Sequence, residues 1–335
     1  MGEMPDRERS PLPMVTVVIP TRNRREMLQA GLESLLRQSY PKDRYEIIVV
    51  DNGSTDGTEE MVMGVQANSN GLVRYFRQEN LGPAVARNRG IQEGKGEIVA
   101  FTDSDCIAHS DWLEAGVDAL LQDGKLGLIS GRVLPMPGKA VTFLTRTVQQ
   151  EREGETYPTC NIFYRKEALD RVGDFDAFFR QHKHYKDIPL GGEDTELAWR
   201  VKRAGWKSTF ASEALVYHEV TRITAMEKLL CEPGRCRIMP YLVREIPELR
   251  TSMFLRYFAC KETALFDLAV VGLLLAALIH PVFVLLSLPF PLRLSWVLKQ
   301  GGSKRLLKFG FAHLFFATSV WYLAYGSVKY RSLLL

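Results

Sequence analysis

The stretch Glu97-Ile-Val-Ala-Phe-Thr-Asp-Ser-Asp105 joins a short apolar run directly to two aspartates that are one residue apart. Such a run is typical of a strand buried on both faces of a parallel sheet. Open α/β sheets bind ligands beyond the carboxyl ends of their strands, which is where Asp103 and Asp105 fall. Two carboxylates this close repel each other unless a positive charge lies between them, and a divalent cation that bridges to a phosphate is the simplest such charge. A solvated turn, which Asp and Ser also favour, stays open on these residues alone.

Strand patterns and helix patterns alternate around this stretch. Strands are predicted at Val15–Pro20, Tyr45–Val50, Leu72–Phe76 and Glu97–Thr102. The intervening apolar stripes predict helices at Arg24–Gln38, Thr55–Val65, Pro83–Gln92 and Asp111–Leu121. This alternation predicts an α/β domain with a mostly parallel central sheet flanked by helices.

The pattern is looser in the second half of this domain. The predicted elements there are a helix at Val141–Glu151, strands at Pro158–Tyr164 and Ala214–His218, and an amphipathic helix beginning at Thr195. The chain of 335 residues is long enough for one large α/β domain and an appendage.

The last third of the chain predicts a helical region associated with a membrane. Leu268–Leu288 and Phe309–Val328 are apolar and near membrane-spanning length, and basic residues lie between them. Because positive loops prefer the cytoplasm, we expect either a re-entrant hairpin that bends near His280-Pro281 or helices that lie in the interface. A buried helical hairpin of a soluble protein is the alternative.

The predicted organisation therefore has four parts. Residues 1–13 are expected to be a disordered N-terminus and residues 14–221 the α/β domain. Residues 222–263 are expected to form amphipathic, basic connecting helices, and residues 264–335 the membrane-associated helical region.

Composition excludes several classes of function. A net charge of +4 is too small to indicate a nucleic-acid partner. The five cysteines show no metal-type spacing, so we expect free thiols in a reducing compartment. No Gly-x-Gly-x-x-Gly follows the first strand, which disfavours a dinucleotide-dependent oxidoreductase.

Two further motifs lie after strands or at helix starts. Asp51-Asn-Gly-Ser-Thr-Asp-Gly-Thr58 places an aspartate at a strand end, where it can accept hydrogen bonds from a nucleobase or ribose. Asn80-Leu-Gly-Pro-Ala-Val-Ala-Arg-Asn-Arg-Gly90 starts a helix, and Arg87 has the planar fork that suits a diphosphate. Taken alone, the Asp51 motif is better explained as a strand-to-helix turn with a helix cap, and Arg87 is about as compatible with a solvated helix face.

Together these blocks resemble glycosyltransferase family 2. Val15-Thr-Val-Val-Ile-Pro-Thr-Arg-Asn-Arg24, the Asp51 and Asn80 motifs and Asp103-Ser-Asp105 occur in that family's order and spacing. The resemblance covers about residues 14–220 and implies a GT-A fold, a nucleotide-diphosphate sugar as donor, and Mn²⁺ or Mg²⁺ as the cofactor.

The resemblance also implies roles for individual residues at the donor end. The nucleotide-sugar contacts fall on Pro20, Thr21, Arg22, Asp51, Asn52, Arg87, Asp103 and Ser104. Asp105 falls at the metal position, and His218, which follows a predicted strand, falls where many members have a further metal ligand.

The second half of the chain fits the same family. Gly191-Gly-Glu-Asp194 resembles its Glu-Asp motif, which places Asp194 at the position of the general base with Glu193 beside it. An acceptor hydroxyl that attacks an anomeric carbon must lose a proton, and a carboxylate within hydrogen-bond reach can accept it. A helix start decorated with acidic residues is the alternative for these residues alone.

The resemblance implies a membrane-associated, metal-dependent, inverting hexosyltransferase. No Gln-x-x-Arg-Trp follows the Glu-Asp motif, which favours the addition of one or a few sugars over processive synthesis. The expected acceptor is a lipid-linked glycan or a surface polysaccharide precursor, at the cell membrane, with the catalytic domain in the cytoplasm. The alternatives are a polyprenyl-phosphate monosaccharide synthase and a catalytically silent membrane scaffold.

Overall fold

The computed structural model describes residues 12–176, 178–181, 183–184, 188–189, 191–297 and 305–335. Most of the N-terminal segment predicted to be disordered, residues 1–11, lies outside the described residues. The chain divides into two units, Met1–Arg180 with Glu193–Thr221 and Gln181–Gly192 with Arg222–Leu335. All five cysteines are free thiols.

The described residues form strands and α-helices that follow one another along most of the chain. The described strands are β1 (Val15–Thr21), β2 (Tyr45–Asp51), β3 (Val73–Arg77), β4 (Ile98–Thr102), β5 (Cys106–Ala108), β6 (Leu126–Pro135), β7 (Thr145–Arg146), β8 (Asn161–Arg165), β9 (Lys183–His184), β10 (Ile188–Pro189), β11 (Lys207–His218) and β12 (Thr221–Arg222). The described α-helices are α1 (Arg25–Leu35), α2 (Thr58–Ala67), α3 (Pro83–Glu93), α4 (Trp112–Leu121), α5 (Lys166–Val172), α6 (Phe178–Gln181), α7 (Glu193–Arg203), α8 (Ala225–Arg235), α9 (Met239–Glu245), α10 (Lys261–Leu278), α11 (Pro289–Val297) and α12 (Arg305–Tyr330).

The first unit is built on an eight-stranded sheet with the order β3-β2-β1-β4-β8-β6-β11-β5 among the described residues. The strands β3, β2, β1 and β4 are mutually parallel, and β6 is parallel to β11. β8 runs antiparallel to β4 and β6, and β5 runs antiparallel to β11. The predicted α/β class and mostly parallel sheet are confirmed.

The centre of this sheet is covered on both faces. Every residue of β1, β2 and β4 is buried, as expected for parallel strands between two helical layers. One apolar layer contains Leu28, Leu32 and Trp112, and the opposite layer contains Phe101 and Leu197. These two layers hold the carboxyl ends of β1, β2 and β4 at one edge, where their polar residues meet.

One glycine of the Asn80–Gly90 motif has a packing role. A Cβ atom on Gly90 would lie 2.2 Å from Cγ1 of Val18, so only glycine lets α3 approach β1 this closely. The third helix is thereby held against the sheet, and Arg87, one turn earlier, is carried into the interior.

A buried amide supports the carboxyl end of β11. The pairing of β11 with β6 shifts register between Ala211 and Leu215. Asn161 donates to the carbonyls of Arg132 and Ala214 and accepts a hydrogen bond from the indole of Trp112 at 2.8 Å. A fully satisfied buried amide specifies one arrangement of these strands, and it does so just ahead of His218.

The helix predicted at Val141–Glu151 is wrong. This segment contains the short strand β7, and Gln150 exchanges two backbone hydrogen bonds with Val133 of β6. The segment is rich in Val and Thr, whose branched side chains lose rotamer freedom in a helix. Its apolar spacing reflects packing beside the sheet rather than a helical stripe.

The second unit is helical. Its longest helices are α10 and α12, and a 3₁₀ helix at Pro281–Ser287 comes after α10. A Cβ atom on Gly272 of α10 would lie 2.7 Å from Cβ of Leu286, so the 3₁₀ segment folds back directly onto α10. The chain therefore reverses near His280-Pro281, at the predicted bend.

The two apolar segments are near membrane-spanning length, but no transmembrane helix is found among the described residues. Across the part of the chain that the structure describes, no helix combines the length and the apolarity that a membrane crossing requires. The first apolar segment is divided between two elements, because α10 begins with Lys261 and Glu262 and ends at Leu278, and a 3₁₀ helix starts at Pro281.

Candidate active site

The carboxylate at the end of β2 is held by its own loop. Asp51 is fully buried. Its Oδ1 accepts hydrogen bonds from the backbone N–H and the hydroxyl of Ser54, at 2.8 and 2.6 Å, and its Oδ2 accepts one from the Tyr75 hydroxyl at 2.8 Å. Burial and this bond to Asp51 raise the pKa of the Tyr75 phenol. Asp51 therefore orders the loop at the predicted nucleotide end.

The other residues predicted at the nucleotide end lie around the same strand ends. Pro20 and Thr21 pair in register with Val50 and Asp51, and the buried hydroxyl of Thr21 has no hydrogen-bond partner among the described residues. The side-chain amide of Asn52 accepts from Gln78 and donates to the carbonyl of Gly82. Arg22 is exposed.

Asp103 comes after β4 and faces α3. Its Oδ1 accepts a hydrogen bond from the Arg87 guanidinium at 3.0 Å, and its side chain is 29% exposed. Ser104 is buried between the two aspartates. Asp103 is therefore accessible to a ligand on one side and fixed to the protein on the other.

Arg87 is a buried bridge between two parts of the first unit. Its side chain is only 6% exposed, and its second contact is Oε1 of Glu193 at 3.3 Å. Burial alone would lower the pKa of Arg87, but the charges of Asp103, Glu193 and Asp194 outweigh it and raise the pKa. The predicted contact of Arg87 with a diphosphate stays a prediction, and in this structure its guanidinium joins the end of β4 to the start of α7.

The neighbour of Arg87 supports this bridge. The side chain of Asn88 donates to the carbonyl of Phe175 at 2.8 Å and accepts from its N–H at 2.9 Å. The Phe175 ring lies 5.8 Å from the Arg87 guanidinium carbon, a cation–π distance. Asn88 thus places an aromatic wall beside Arg87, a role that the sequence pattern did not indicate.

Asp105, Cys106 and His218 bring their ligand atoms within 4.8 Å of one another. Oδ1 of Asp105 lies 3.8 Å from Nε2 of His218, and both side chains are largely buried. The backbone N–H of Glu219 donates to the Asp105 carbonyl at 2.9 Å, which ties the end of β11 to the β4 turn. The structure thus brings together the two predicted metal ligands from residues 113 positions apart in the chain.

The orientation of His218 suits a metal ligand. Its Nδ1 lies 2.9 Å from the carbonyl of Glu219 and 3.3 Å from the hydroxyl of Thr147. A carbonyl only accepts, so the tautomer with its proton on Nδ1 fits this contact, and in that tautomer Nε2, the nitrogen nearer Asp105, has the lone pair that a metal ligand needs. A hard carboxylate and one imidazole are a suitable donor set for Mn²⁺ or Mg²⁺. Cys106 was not singled out from the sequence, because the five cysteines show no metal-type spacing.

Glu193 and Asp194 begin α7 after two glycines in left-handed conformations, Gly191 with φ of +77° and Gly192 with φ of +104°. The buried apolar face of α7 holds the helix against the sheet. Within the described part of the chain, Oε2 of Glu193 has no hydrogen-bond partner, whereas Asp194 accepts from the N–H of Thr195 at 2.8 Å.

The environment of Asp194 suits a base. Burial, followed by the neighbouring charge of Glu193, raises the pKa of Asp194 to about 7. A carboxylate whose pKa lies near neutrality is a better proton acceptor than an ordinary aspartate. Arg87 acts in the opposite direction on this pKa, because its positive charge favours the carboxylate.

Arg24 is a functional candidate that sequence analysis did not single out. Its guanidinium forms an ion pair with Oδ2 of Asp105, whereas His218 faces Oδ1. Arg24 lies at the N-cap of α1, where Ser, Thr, Asp and Asn are the usual residues. An arginine at a position where a small polar residue is usual is the feature of the sequence that could have indicated a functional role for Arg24.

The chain is similar in sequence to known proteins. Residues 16–184 match the model of the family described as glycosyl transferase family 2. The glycosyltransferase AglE of Haloferax volcanii is 32% identical over 245 residues, which cover 71% of this chain and 77% of that protein. The putative teichuronic acid biosynthesis glycosyltransferase TuaG of Bacillus subtilis is 34% identical over 110 residues, which cover 33% of this chain and 43% of that protein.

Solved structures share the fold. The mannosyltransferase PcManGT of Pyrobaculum calidifontis, determined with GDP-Man and Mn²⁺, has a TM-score of 0.57 at 21% identity and covers 95% of this chain and 87% of its own. GalNAc-T7, determined with UDP, GalNAc and Mn²⁺, has a TM-score of 0.52 at 19% identity and covers 64% of this chain and 45% of its own. The predicted GT-A fold is confirmed.

Proposed function

Because this chain belongs to glycosyl transferase family 2, and is therefore a glycosyltransferase, we propose that it transfers a sugar from a nucleotide-diphosphate sugar to a hydroxyl acceptor with inversion. One observation carries the proposal: Arg87 contacts both Asp103 and Glu193. The acid that comes after the donor-side strand and the helix that carries the proposed base therefore belong to one connected site.

A divalent cation is the proposed cofactor. Asp105 and His218 would hold it, because their facing atoms are a carboxylate oxygen and an unprotonated imidazole nitrogen. When bound, such a cation offsets the negative charge that grows on a leaving diphosphate. The related fold of PcManGT was determined with Mn²⁺, which supports Mn²⁺ as the first cation to test.

Asp194 is the proposed general base. Its pKa of about 7 leaves a useful carboxylate fraction at neutral pH and a carboxylate basic enough to take the acceptor proton. One base acting on the acceptor and an in-line displacement at the anomeric carbon would invert the configuration. Intact Asp103, Asp105 and Asp194 argue against the alternative of a silent scaffold.

The acceptor is proposed to be a hydroxyl of a glycan rather than a lipid phosphate. A phosphate is already ionised and needs no strong base, whereas the raised pKa of Asp194 suits a hydroxyl. The name of TuaG refers to the biosynthesis of teichuronic acid, which supports a surface polysaccharide or its lipid-linked precursor. The polyprenyl-phosphate monosaccharide synthase remains the second candidate.

We also propose that the second unit binds the surface of the cell membrane from the cytoplasmic side, where nucleotide sugars would reach the first unit. Large apolar side chains on α10 and on the segment that follows it, up to the 3₁₀ helix at Pro281–Ser287, are more than half exposed, namely Leu273, Leu274, Leu278, Ile279 and Leu285. An exposed apolar patch of this kind marks an interaction surface. The sequence between residues 293 and 308 has five basic and no acidic residues, a charge that favours anionic lipid over a protein partner.

A donor panel tests the reaction. The purified protein would be incubated with UDP- and GDP-linked sugars and Mn²⁺, and sugar release would be followed with and without chelator. We expect one donor to be hydrolysed slowly and only with the cation, and NMR of the product with an added glycan acceptor to show inverted anomeric configuration. Turnover that survives the chelator would contradict the cation, and retained configuration would contradict the mechanism.

Vesicle flotation tests the membrane surface. The protein is expected to float with vesicles containing phosphatidylglycerol and far less with pure phosphatidylcholine. The double variant Leu278→Glu with Ile279→Glu should lose flotation, because charged side chains disfavour insertion among the headgroups. Met63→Glu, which changes an exposed apolar residue on α2, is the matched control and should float like the original protein. Undiminished flotation of the double variant would contradict this surface.

A further inference from the structure

Arg24 and the proposed cation depend on the same carboxylate. Arg24 binds Oδ2 of Asp105, and the metal-ligand partner His218 faces Oδ1. Asp105 is only 8% exposed, whereas the Arg24 side chain is 41% exposed. The carboxylate is therefore fixed in place, and the guanidinium can leave it for solvent or for a ligand.

The backbone around Arg24 is anchored to the nucleotide-end loop. The N–H of Asn23 donates to the Ser54 hydroxyl at 2.8 Å, and the side-chain oxygen of Asn23 accepts from the N–H of Thr55 at 2.8 Å. That same Ser54 hydroxyl donates to Asp51. A short chain of contacts thus runs from Asp51 through Asn23 and Arg24 to Asp105.

The Arg24 side chain is not used to cap α1. Although Arg24 is the N-cap residue of α1, its side chain makes no capping bond to this helix. The N–H of Arg25 is instead capped by Asp56 at 3.0 Å. A residue that breaks a local rule while a neighbour compensates is a signature of a functional position.

The single negative charge of Asp105 limits how well the Arg24 guanidinium and a divalent cation can bind to it at the same time. One carboxylate and one neutral imidazole supply a single negative charge, which cannot satisfy both a divalent cation and a guanidinium a few ångströms apart. A nucleoside diphosphate adds the missing negative charge. A guanidinium is well suited to receive it, because its fork matches phosphate oxygens.

We propose that Arg24 is an exchange residue, which pairs with Asp105 until a nucleoside diphosphate and a divalent cation bind together, and then pairs with the diphosphate. Arg24 thereby makes the binding of cation and nucleotide mutually dependent. This inference rests on the proposed function, since it assumes a nucleotide-diphosphate donor.

Binding measurements test the proposal without turnover. Electron paramagnetic resonance would give the free Mn²⁺ concentration during titrations of the original protein and of Arg24→Gln, each with and without UDP or GDP. In Arg24→Gln we expect Mn²⁺ alone to bind roughly tenfold more tightly, because a competing charge is gone. The enhancement of Mn²⁺ binding by the nucleotide, expected to be about 5–150-fold in the original protein, should fall severalfold.

Three further variants make the test specific. Arg24→Lys keeps the charge without the fork, so its Mn²⁺ affinity alone should stay near that of the original protein while its nucleotide enhancement is partly lost. Arg25→Gln removes the adjacent positive charge, which lies near Gly57 just ahead of α2, and should leave both values unchanged. Asp105→Asn should weaken Mn²⁺ binding by roughly 100-fold, which assigns the signal to this site.

The outcomes separate this inference from the proposed function. Mn²⁺ affinity that is unchanged or weaker in Arg24→Gln, with nucleotide enhancement intact, would overturn the exchange role alone. An original protein that binds neither UDP nor GDP in the presence of Mn²⁺ would overturn the proposed function and this inference with it. Equal melting temperatures would confirm that the variants are folded.

Discussion

Two pairs of acidic residues can be compared: Asp103 with Asp105 after β4, and Glu193 with Asp194 at the start of α7. Each pair has one member bound to Arg87, Asp103 in the first pair and Glu193 in the second. The other members are Asp105, which faces the proposed metal ligand His218, and Asp194, which is the proposed base. Arg87 therefore neutralises one acid of each pair and leaves the other for chemistry.

The two remaining acids nevertheless differ in charge environment. Asp105 has a cationic partner, Arg24, and faces an imidazole. Asp194 has Glu193 beside it and the more distant Arg87, and its pKa is raised to about 7. Neighbouring groups thus give two similar acid pairs different charge environments, which suit a proposed cation ligand and a proposed base, and five predictions address that difference.

The largest expected effect comes from Asp194→Asn. Removing the base should slow transfer by about 10²–10⁴-fold, because the acceptor proton then has no acceptor group. The affinity for the donor should stay close to that of the original protein. Initial rates and donor titration by fluorescence measure these two quantities, and Asp118→Asn on the exposed face of α4 is the control. Turnover near the original value would assign the base elsewhere.

Arg87→Met should have the next largest effect, on stability. Removing one partner of buried ion pairs leaves the carboxylates of Asp103 and Glu193 uncompensated, and we expect a loss of about 3–5 kcal/mol in the free energy of unfolding. Urea unfolding followed by circular dichroism measures it. Arg89→Met, two residues later and 35% exposed, should change stability by well under about 1 kcal/mol. Equal effects of the two substitutions would show that Arg87 is no bridge.

The two aspartates after β4 should separate in a cation titration. Asp105→Asn is expected to weaken Mn²⁺ binding by roughly 100-fold. Removing a group that only supports a metal ligand costs about 10–100-fold in affinity, so the loss of a ligand itself should reach the upper end of that range. Asp103→Asn should leave the Mn²⁺ affinity within a few fold and raise the KM for the donor. Similar losses of Mn²⁺ affinity in both variants would mean that the two acids share the cation.

The pH dependence of transfer should be a milder effect. Because Asp194 acts as a base only when ionised, the rate of transfer should fall about tenfold per pH unit below its pKa of about 7. Arg87→Lys keeps the charge that favours the carboxylate, so its acid limb should stay in place. A flat profile between about pH 5 and 8 would be incompatible with this base.

The same pKa carries a stability prediction with a definite sign, and this effect should be the smallest. The pKa of Asp194 is raised in the folded state from 3.8 to about 7, so the folded state holds its proton more tightly than the unfolded state. The contribution of Asp194 to the free energy of unfolding is fully present below about pH 4 and is lost as the pH rises toward about 7. Asp194→Asn should therefore raise the melting temperature more at about pH 8 than at about pH 4, and thermal unfolding at the two pH values measures the difference.

Some features of the site were accessible before the structure. The apolar run before Asp103, the strand ending at Asp51 and the amphipathic spacing after Asp194 all depend on local periodicity, and the structure places them as predicted. The helix predicted at Val141–Glu151 failed because sheet edges and helices can share an apolar spacing. No spanning helix is found among the described residues although two apolar segments are near membrane-spanning length, because apolar composition alone does not fix where a helix ends.

The sequence by itself determined the family, the GT-A fold and the residues that carry charge at the strand ends, because these depend on short motifs and on strand and helix periods. Only the tertiary structure decided how those charges pair. Arg87 reaches Glu193 across 106 positions and Arg24 reaches Asp105 across 81, and no local pattern encodes such contacts. The reason is physical: the pairing of buried charges is selected by three-dimensional proximity in a low-dielectric interior, where each charge must find an opposite partner.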